Sequence, residues 1–166
     1  MAAGTSPLKK VLLVWAAILL IAVYASAADR REGVVRWVID GDTFELGTGE
    51  RVRLIGIDTP EYQPWKNKVQ YFGREAGNYS RSLLRGKRVL LEEDAVKKDR
   101  YGRTLAYVYL NDGALFVNQN LVEEGYARAK YFPPNGRYYS LLKDAEQRAK
   151  KEKKGFWAPA KKSRTS

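Results

Sequence analysis

The chain has 166 residues, a formal net charge of +11 and a pI near 9.8, which fits one domain and favours anionic partners. It contains neither histidine nor cysteine, which excludes a Ser-His-Asp triad, a cysteine nucleophile and a zinc site built from imidazole or thiolate. Any bound metal must therefore have oxygen ligands, which suit calcium or magnesium, and any general base must be a carboxylate, a lysine or a tyrosine.

Residues 1–28 have the pattern of a targeting segment. Lys9-Lys10 precede an apolar stretch over residues 11–24, and the small residues Ala-Ser-Ala follow at 25–27. A positive region, an apolar region and an A-x-A site are typical of a secretory signal peptide. The stretch to Ala28 is also long enough to span a bilayer, so a retained N-terminal membrane anchor is the alternative. Both interpretations place the rest of the chain outside the cytoplasm, as a secreted or periplasmic protein or as one anchored to the outer face of a membrane.

The following part of the chain predicts strands. Residues 34–39, 43–46 and 51–57 are rich in β-branched and aromatic side chains, and Gly47-Thr-Gly-Glu50 is a typical hairpin turn. A polar loop with Pro64 follows. The next predicted helix is indicated by four residues at helical spacing: Phe72, Ala76, Tyr79 and Leu83.

The second half adds two strands and two helices. Strands are predicted at 89–91 and 104–110, and a short helix at 117–124 is ended by Gly125. A final helix carries one apolar face: Tyr138, Leu141, Leu142, Ala145 and Ala149. About five short strands with late helices predict an α+β domain on a small closed, OB-like barrel. We expect it to occupy residues 29–158, before a basic disordered tail at 159–166.

Carboxylates and arginines recur in three short segments: Asp40-Gly-Asp42-Thr43, residues 53–61 (RLIGIDTPE) and Asp99-Arg-Tyr101-Gly-Arg103. Asp42 and Asp58 come from neighbouring strand ends and Glu61 follows closely, so strand pairing would bring three carboxylates together. Such a cluster needs a cation or a shared proton. Each segment alone is more often a turn, but their combination with two arginines favours a functional site.

The two arginines each have a functional and a structural interpretation. Arg53 lies in a strand whose side chains alternate between two faces. If its face opens on a cleft, Arg53 would hold a phosphate; if not, it is a solvent-exposed strand residue. Arg103 follows Gly102, whose conformational freedom would let the arginine point across the site; otherwise it is a surface charge after a turn.

These segments, together with Ala145-Glu-Gln-Arg-Ala-Lys-Lys-Glu152, closely resemble the thermonuclease, or staphylococcal nuclease-like, family. The resemblance extends from about Gly33 to Trp157. It implies a five-stranded OB-like β-barrel with about three α-helices, acting as a monomer with no protein partner. It also implies a calcium-dependent endonuclease that hydrolyses the phosphodiester bonds of DNA and RNA with little sequence or sugar specificity.

The resemblance also implies roles for individual residues, by position in the matching motifs. Asp42 and Asp58 would bind Ca2+ together with the carbonyl of Thr59. Glu61 would activate or position the attacking water. The scissile phosphate would be held by Arg53 and Arg103, and a neighbouring phosphate by Arg100 and Tyr101.

The chain departs from the family at one place. The family usually has two tyrosines separated by one residue before a Lys-Pro-Asn turn, whereas this chain has adjacent Tyr131-Phe132 before Pro133-Pro134-Asn135. We assign Tyr131 to substrate binding, through stacking on a base rather than through its hydroxyl. Core packing of both aromatic residues is the alternative.

The charges of the candidate residues favour a catalytic role. Hydroxide attack on a phosphodiester builds negative charge on the phosphoryl oxygens, which a dication and two guanidiniums stabilise. The alternative is a noncatalytic nucleic-acid-binding module on the same fold. The complete set of carboxylates and arginines favours the enzyme. A membrane-surface protein, attached by its leader and basic tail, would need neither Glu61 nor Arg103.

Overall fold

The computed structural model describes residues 30–159, together with Val11 and Trp15. Apart from those two residues, the predicted signal or anchor at 1–28 lies outside the described residues, and so does the predicted tail beyond Pro159. Within the described ranges, no helix combines the length and the apolar character needed to cross a membrane. From Arg31 onward the described residues belong to one compact unit.

Ten strands and three α-helices make up the described part of the chain, with short 3-10 helices at Pro64–Lys66, Asn111–Gly113 and Gly155–Trp157. The strands are β1 (Arg30–Val38), β2 (Thr43–Leu46), β3 (Arg51–Leu54), β4 (Ile57–Asp58), β5 (Tyr62–Gln63), β6 (Lys68–Val69), β7 (Arg88–Glu92), β8 (Thr104–Leu110), β9 (Leu115–Phe116) and β10 (Arg128–Ala129). The helices are α1 (Gly73–Leu84), α2 (Val117–Glu123) and α3 (Tyr139–Lys151).

Six strands form one mostly antiparallel sheet in the order β3-β2-β1-β7-β8-β9. A further, parallel pairing of β3 with β8 closes five of them into a ring. Phe44 of β2 lies opposite Val38 and Val52, and Leu91 of β7 lies opposite Val108. All five side chains are buried, so the core lies along the face that these strands share. The predicted α+β class with about three helices is confirmed.

The final helix buries a narrower face than predicted. Leu142, Ala145 and Ala149 are fully buried, as expected for positions three and seven residues after the first. Leu141, which was predicted to share this face, is 40% exposed. Neighbouring residues on a helix point about 100° apart, so Leu141 turns away once Leu142 enters the core.

The buried side-chain amide of Asn118 holds the backbone of two strands that lead to the polar cleft. The Asn118 side chain on α2 is fully buried; its Nδ2 donates to the Ile55 carbonyl at 2.8 Å, and its Oδ1 accepts from the Val108 N–H at 2.9 Å. Ile55 directly follows β3, and Val108 lies in β8. Asn118 therefore ties both strands to α2 just before the chain turns at Gly56, whose φ is 77°, into β4.

We predict that Asn118→Ala lowers the free energy of unfolding by about 2–4 kcal/mol, because it leaves a buried N–H and a buried C=O without partners. Urea denaturation followed by circular dichroism measures the change. Asn78→Ala is the matched control, since the Asn78 amide is exposed and accepts only from Arg81. Similar losses in the two variants would contradict the role assigned to Asn118.

Candidate active site

The guanidinium of Arg53 lies between two aspartates. Its Nη1 is 2.8 Å from Oδ2 of Asp42, and its Nη2 is 3.2 Å from Oδ1 of Asp58. Arg53 and Asp42 are nearly buried, with side chains 13% and 8% exposed, whereas Asp58 is 42% exposed. The strand ends of β2, β3 and β4 thus bring together the predicted residues Arg53, Asp42 and Asp58, as strand pairing required.

Asp42 is held by more than its ion pair. Its Oδ2 also accepts from the backbone N–H and the hydroxyl of Thr59, at 3.0 and 2.9 Å, and its Oδ1 accepts from the Thr43 hydroxyl at 3.1 Å. Thr59 can approach this closely because residue 41 is glycine: an added Cβ there would lie 2.6 Å from Oγ1 of Thr59. Thr59 was predicted to bind calcium through its carbonyl oxygen. In the structure its backbone N–H and its hydroxyl donate hydrogen bonds to Asp42.

A third carboxyl group, Asp40, lies behind Asp42. Burial and the neighbouring charge of Asp42 raise the pKa of Asp40 to about 6. Asp40 accepts from the Asp42 N–H at 3.2 Å and from Nε2 of Gln63 at 3.3 Å. The sequence placed Asp40 in the same motif but gave it no separate role.

Glu61 lies on the other wall of the cleft, just before β5. Lys68 Nζ is 3.3 Å from Oε2 of Glu61, yet this buried oxygen has no hydrogen-bond partner among the described residues. The backbone of Glu61 packs directly on the start of α1, where a Cβ at Gly73 would collide with the Glu61 carbonyl oxygen. Glu61 therefore has a fixed backbone and a carboxylate that makes an ion pair with Lys68 but whose Oε2 accepts no hydrogen bond among the described residues.

Arg103 is oriented by Asp99. The Nε of Arg103 donates to Oδ2 of Asp99 at 2.7 Å, and the Arg103 N–H donates to Oδ1 at 3.0 Å. These hydrogen bonds outweigh the effect of burial and lower the pKa of Asp99. Since Asp99 engages Nε, the terminal nitrogens of Arg103 extend toward the cleft, where Nη1 lies 3.4 Å from the Thr43 hydroxyl.

Tyr101 and Arg100 form an exposed edge beside Arg103. The Tyr101 side chain is 68% exposed, and the guanidinium carbons of Arg100 and Arg103 lie 4.8 and 5.6 Å from its ring centroid. Arg100 also donates to the Tyr101 hydroxyl at 2.6 Å. A ring between two cations can support a phosphate on either side.

These residues line two adjoining clefts. The first, of about 480 Å³, contains the predicted site residues Asp42, Arg53, Asp58, Thr59, Glu61, Tyr101 and Arg103; we call it the carboxylate cleft. The second, of about 470 Å³, contains Arg100, Leu105, Lys130, Phe132 and Asn135; we call it the aromatic cleft. Four residues line both: Arg53, Asp58, Tyr101 and Arg103.

The structure places Phe132, and not Tyr131, in the aromatic cleft. Tyr131 packs on Tyr139 with ring centroids 5.2 Å apart and is absent from the described lining of both clefts. The guanidinium carbon of Arg53 lies 6.0 Å from the Phe132 ring. Adjacent residues in an extended segment point in opposite directions, so only one of the two can face the cleft.

Sequence reasoning missed Lys130. Its Nζ lies 3.0 Å from Oδ2 of Asp58 and 5.2 Å from the Phe132 ring centroid. The pairing of β10 with β4, with Arg128 opposite Asp58, brings these distant segments together. Both strands have only two residues, so no periodicity could reveal the contact. Asp99, by contrast, was detectable from its i,i+4 spacing to Arg103.

The potential metal ligands in the carboxylate cleft are of the kind that a hard cation prefers. Asp42, Asp58, Glu61 and Thr59 present only oxygen atoms, the ligands that calcium and magnesium prefer. Among the described residues, no group of three or more acidic side chains is arranged to hold one ion. A cation here would therefore depend on two carboxylates and on water, in an open site rather than in a closed protein cage.

The known proteins to which this chain is similar include several nucleases. A family model described as "Staphylococcal nuclease homologue" matches residues 51–159. A thermonuclease of Staphylococcus intermedius is 46% identical over 127 residues, which cover 75% of this chain and 74% of the relative. A thermonuclease of Staphylococcus hyicus is 42% identical over 137 residues, 81% and 79% of the two chains. The endonuclease YncB of Bacillus subtilis is 36% identical over 125 residues, 72% of this chain and 58% of the relative.

We predict that Arg53→Ala lowers the free energy of unfolding by about 3 kcal/mol, because it leaves the buried Asp42 carboxylate without its cation. Arg51→Ala, on the same strand, is the matched control. The Arg51 side chain is 65% exposed beside Glu45, and its loss should cost less than about 1 kcal/mol. Urea denaturation compares the two.

A double variant, Arg53→Ala with Asp42→Asn, should recover part of the loss, since it removes the stranded charge as well. No recovery in the double variant would show that Arg53 stabilises the fold by packing alone.

Proposed function

The chain belongs to the staphylococcal nuclease family and is a phosphodiester hydrolase, and from this premise we propose that it is an exported, calcium-dependent endonuclease acting on DNA and RNA. The fold is OB-like, and we propose that the ring of β1, β2, β3, β7 and β8 is its five-stranded barrel. The protein would act as a monomer with little sequence or sugar specificity.

One observation carries the proposal: a carboxylate, Glu61, and two oriented guanidiniums line the same cleft. Oε2 of Glu61 has an ion-pair partner in Lys68, at 3.3 Å, but no hydrogen-bond partner among the described residues. Arg53 and Arg103 line the cleft with it. Phosphodiester hydrolysis needs these groups, because water must lose a proton while the phosphoryl oxygens gain negative charge.

In the proposed reaction, water attacks the phosphorus in line with the leaving oxygen, so that a new P–O bond forms while the bond to the leaving oxygen breaks. The carboxylate of Glu61 accepts a proton from the attacking water, and the departing alkoxide takes a proton from solvent. Arg53 and Arg103 donate hydrogen bonds to the phosphoryl oxygens, whose charge is greatest in the transition state. A guanidinium suits this task because its planar fork matches two oxygens at once. Asp99 holds Arg103 in place through Nε and so reduces the reorganisation needed on binding.

Asp42 and Asp58, with Thr59, would hold the calcium ion. When bound, calcium would supply a charge of +2 that, with the two guanidiniums, stabilises the negative charge of the transition state. An open oxygen site suits calcium, which accepts six to eight ligands at irregular angles, better than magnesium, which requires near-octahedral geometry.

The substrate strand would continue into the aromatic cleft. We propose that Arg100 and Tyr101 contact a neighbouring phosphate there. For the adjacent base, the geometry favours Phe132 over Tyr131 as the stacking partner, since Phe132 lines the cleft and base–aromatic stacking needs no hydroxyl. Lys130 adds a positive charge at the same edge.

Export is proposed from the sequence of residues 9–28 alone. A cleaved signal would leave a secreted or periplasmic enzyme, and an uncleaved one would leave the enzyme anchored outside the cytoplasm. The intact mass of the exported chain distinguishes the two; recovery of all the protein in the cytoplasm would contradict both.

We predict that Glu61→Gln lowers kcat on DNA and RNA by about 10²–10⁴-fold, because the amide cannot accept the proton of water. Affinity for nucleic acid and the unfolding midpoint should change little. Glu75→Gln on the exposed face of α1 is the matched control and should retain full activity. Wild-type kcat in a folded Glu61→Gln protein would remove this residue from the mechanism, and nucleic-acid binding without any cleavage by the wild type would favour the noncatalytic module.

We further predict that chelation abolishes cleavage, that calcium restores it, and that magnesium restores little. Titration calorimetry should show calcium binding to the wild type and much weaker binding to Asp58→Ala. Asp58 is half-exposed, so this variant should stay folded. Equal rates in calcium and magnesium, or full activity in chelator, would overturn the assignment of the metal.

A further inference from the structure

A smaller pocket, of about 180 Å³, adjoins the carboxylate cleft. Ile39 and Asp40 line both this pocket and the carboxylate cleft, so the two are contiguous. One wall comes from α1 and the other from the segment that joins β5 to β6. We call it the α1 pocket.

The α1 pocket has an aromatic rim that packing does not explain. Trp65 is 72% exposed and Tyr62 is 37% exposed, and neither ring stacks on another aromatic ring within the described chain. Two exposed aromatic side chains at one pocket offer flat apolar surface to a ligand. Trp65 is also presented on ordered backbone, a 3-10 turn that begins at Pro64 and is closed by the Asn67 N–H donating to the Pro64 carbonyl.

The same pocket carries positive charge. Arg74 and Arg81 line it, and Lys66, which follows Trp65 directly, lines the adjoining carboxylate cleft. Among residues 30–159 none of these three cations forms an ion pair with a carboxylate, and Arg81 donates only to the Asn78 amide oxygen, at 2.8 Å. An indole beside cations without carboxylate partners is complementary to a base attached to a phosphate.

The floor of the pocket is left open by Gly77. Glycine inside a helix is unfavourable relative to alanine, yet a Cβ added at Gly77 would meet nothing within 4 Å. Packing within the molecule therefore does not require glycine here. Glycine leaves the α1 side of the pocket without a side chain at this position.

We propose that the α1 pocket binds an unpaired base and its phosphate from the part of a nucleic-acid strand that continues past the carboxylate cleft, with Trp65 as the stacking platform. This inference rests on the proposed nuclease function and extends it to the substrate form. A base within a duplex has both faces covered by its neighbours. A stacking site on Trp65 therefore favours single strands over duplexes.

The test compares long and short substrates in the full chain. For Trp65→Ala, affinity for a single strand of about twelve nucleotides should fall roughly 5- to 100-fold, the usual effect of removing an aromatic partner of a base. Fluorescence anisotropy in a Glu61→Gln background measures this without cleavage. Turnover of a nitrophenyl phosphodiester of one nucleotide should be unchanged by Trp65→Ala, since that substrate cannot reach the α1 pocket.

Two further variants make the result specific. Trp65→Phe retains a ring and should retain most of the affinity. Trp37→Ala removes another exposed tryptophan, on β1 beside Arg85, and should leave affinity unchanged. Because Trp65 is exposed, its replacement removes no core contact, and matching circular dichroism spectra confirm folding.

Unchanged affinity of Trp65→Ala for the long strand would overturn the inference. So would a loss confined to vesicles of anionic phospholipid, which would make the rim a membrane contact. Failure of the wild type to cleave either substrate would instead overturn the proposed function, and the anisotropy measurement would still decide whether the α1 pocket binds the strand.

Discussion

The two aspartates at the centre of the carboxylate cleft share one counterion, the guanidinium of Arg53. Asp42 is almost buried and Asp40 lies directly behind it, so ionised carboxylates at this place repel one another and lose hydration. Arg53 contacts Asp42 and Asp58 at once and offsets part of that cost. The acids can therefore stay close together in the folded chain, where a cation can reach them.

The sheet supplies the rigid frame for this arrangement. Asp42, Arg53 and Asp58 all stand at ends of strands, and the positions of those ends are fixed by the antiparallel register of β2 with β3 and by the buried Asn118 clamp. The exposed aromatic residues proposed to contact substrate, such as Tyr101 and Trp65, lie on turns instead. The division is physically sensible: charge neutralisation needs fixed distances, whereas stacking tolerates small movements.

Local sequence patterns were sufficient to predict much of the fold and several residues that line the carboxylate cleft. β-branched runs and the Gly47 turn predicted β2 and β3, and the motifs around Asp42, Arg53 and Arg103 predicted residues that do line one cleft. The same reasoning could not find Lys130 or choose Phe132 over Tyr131. Those facts depend on the pairing of two-residue strands far apart in sequence, which leaves no periodic signal. The exposure of Leu141, which the helical pattern had assigned to the buried face, likewise became clear only from packing.

The proposed active site is built from both halves of the chain, and this has a consequence for biosynthesis. β3 carries Arg53, but its parallel partner β8 and the clamp residue Asn118 come more than fifty residues later. Lys130, the last charge at Asp58, follows later still. A chain that is still emerging from the ribosome or from a translocation channel has the carboxylates but neither Arg103 nor the strand that orders them. Hydrolytic activity would therefore begin only after nearly the whole domain has been synthesised and folded.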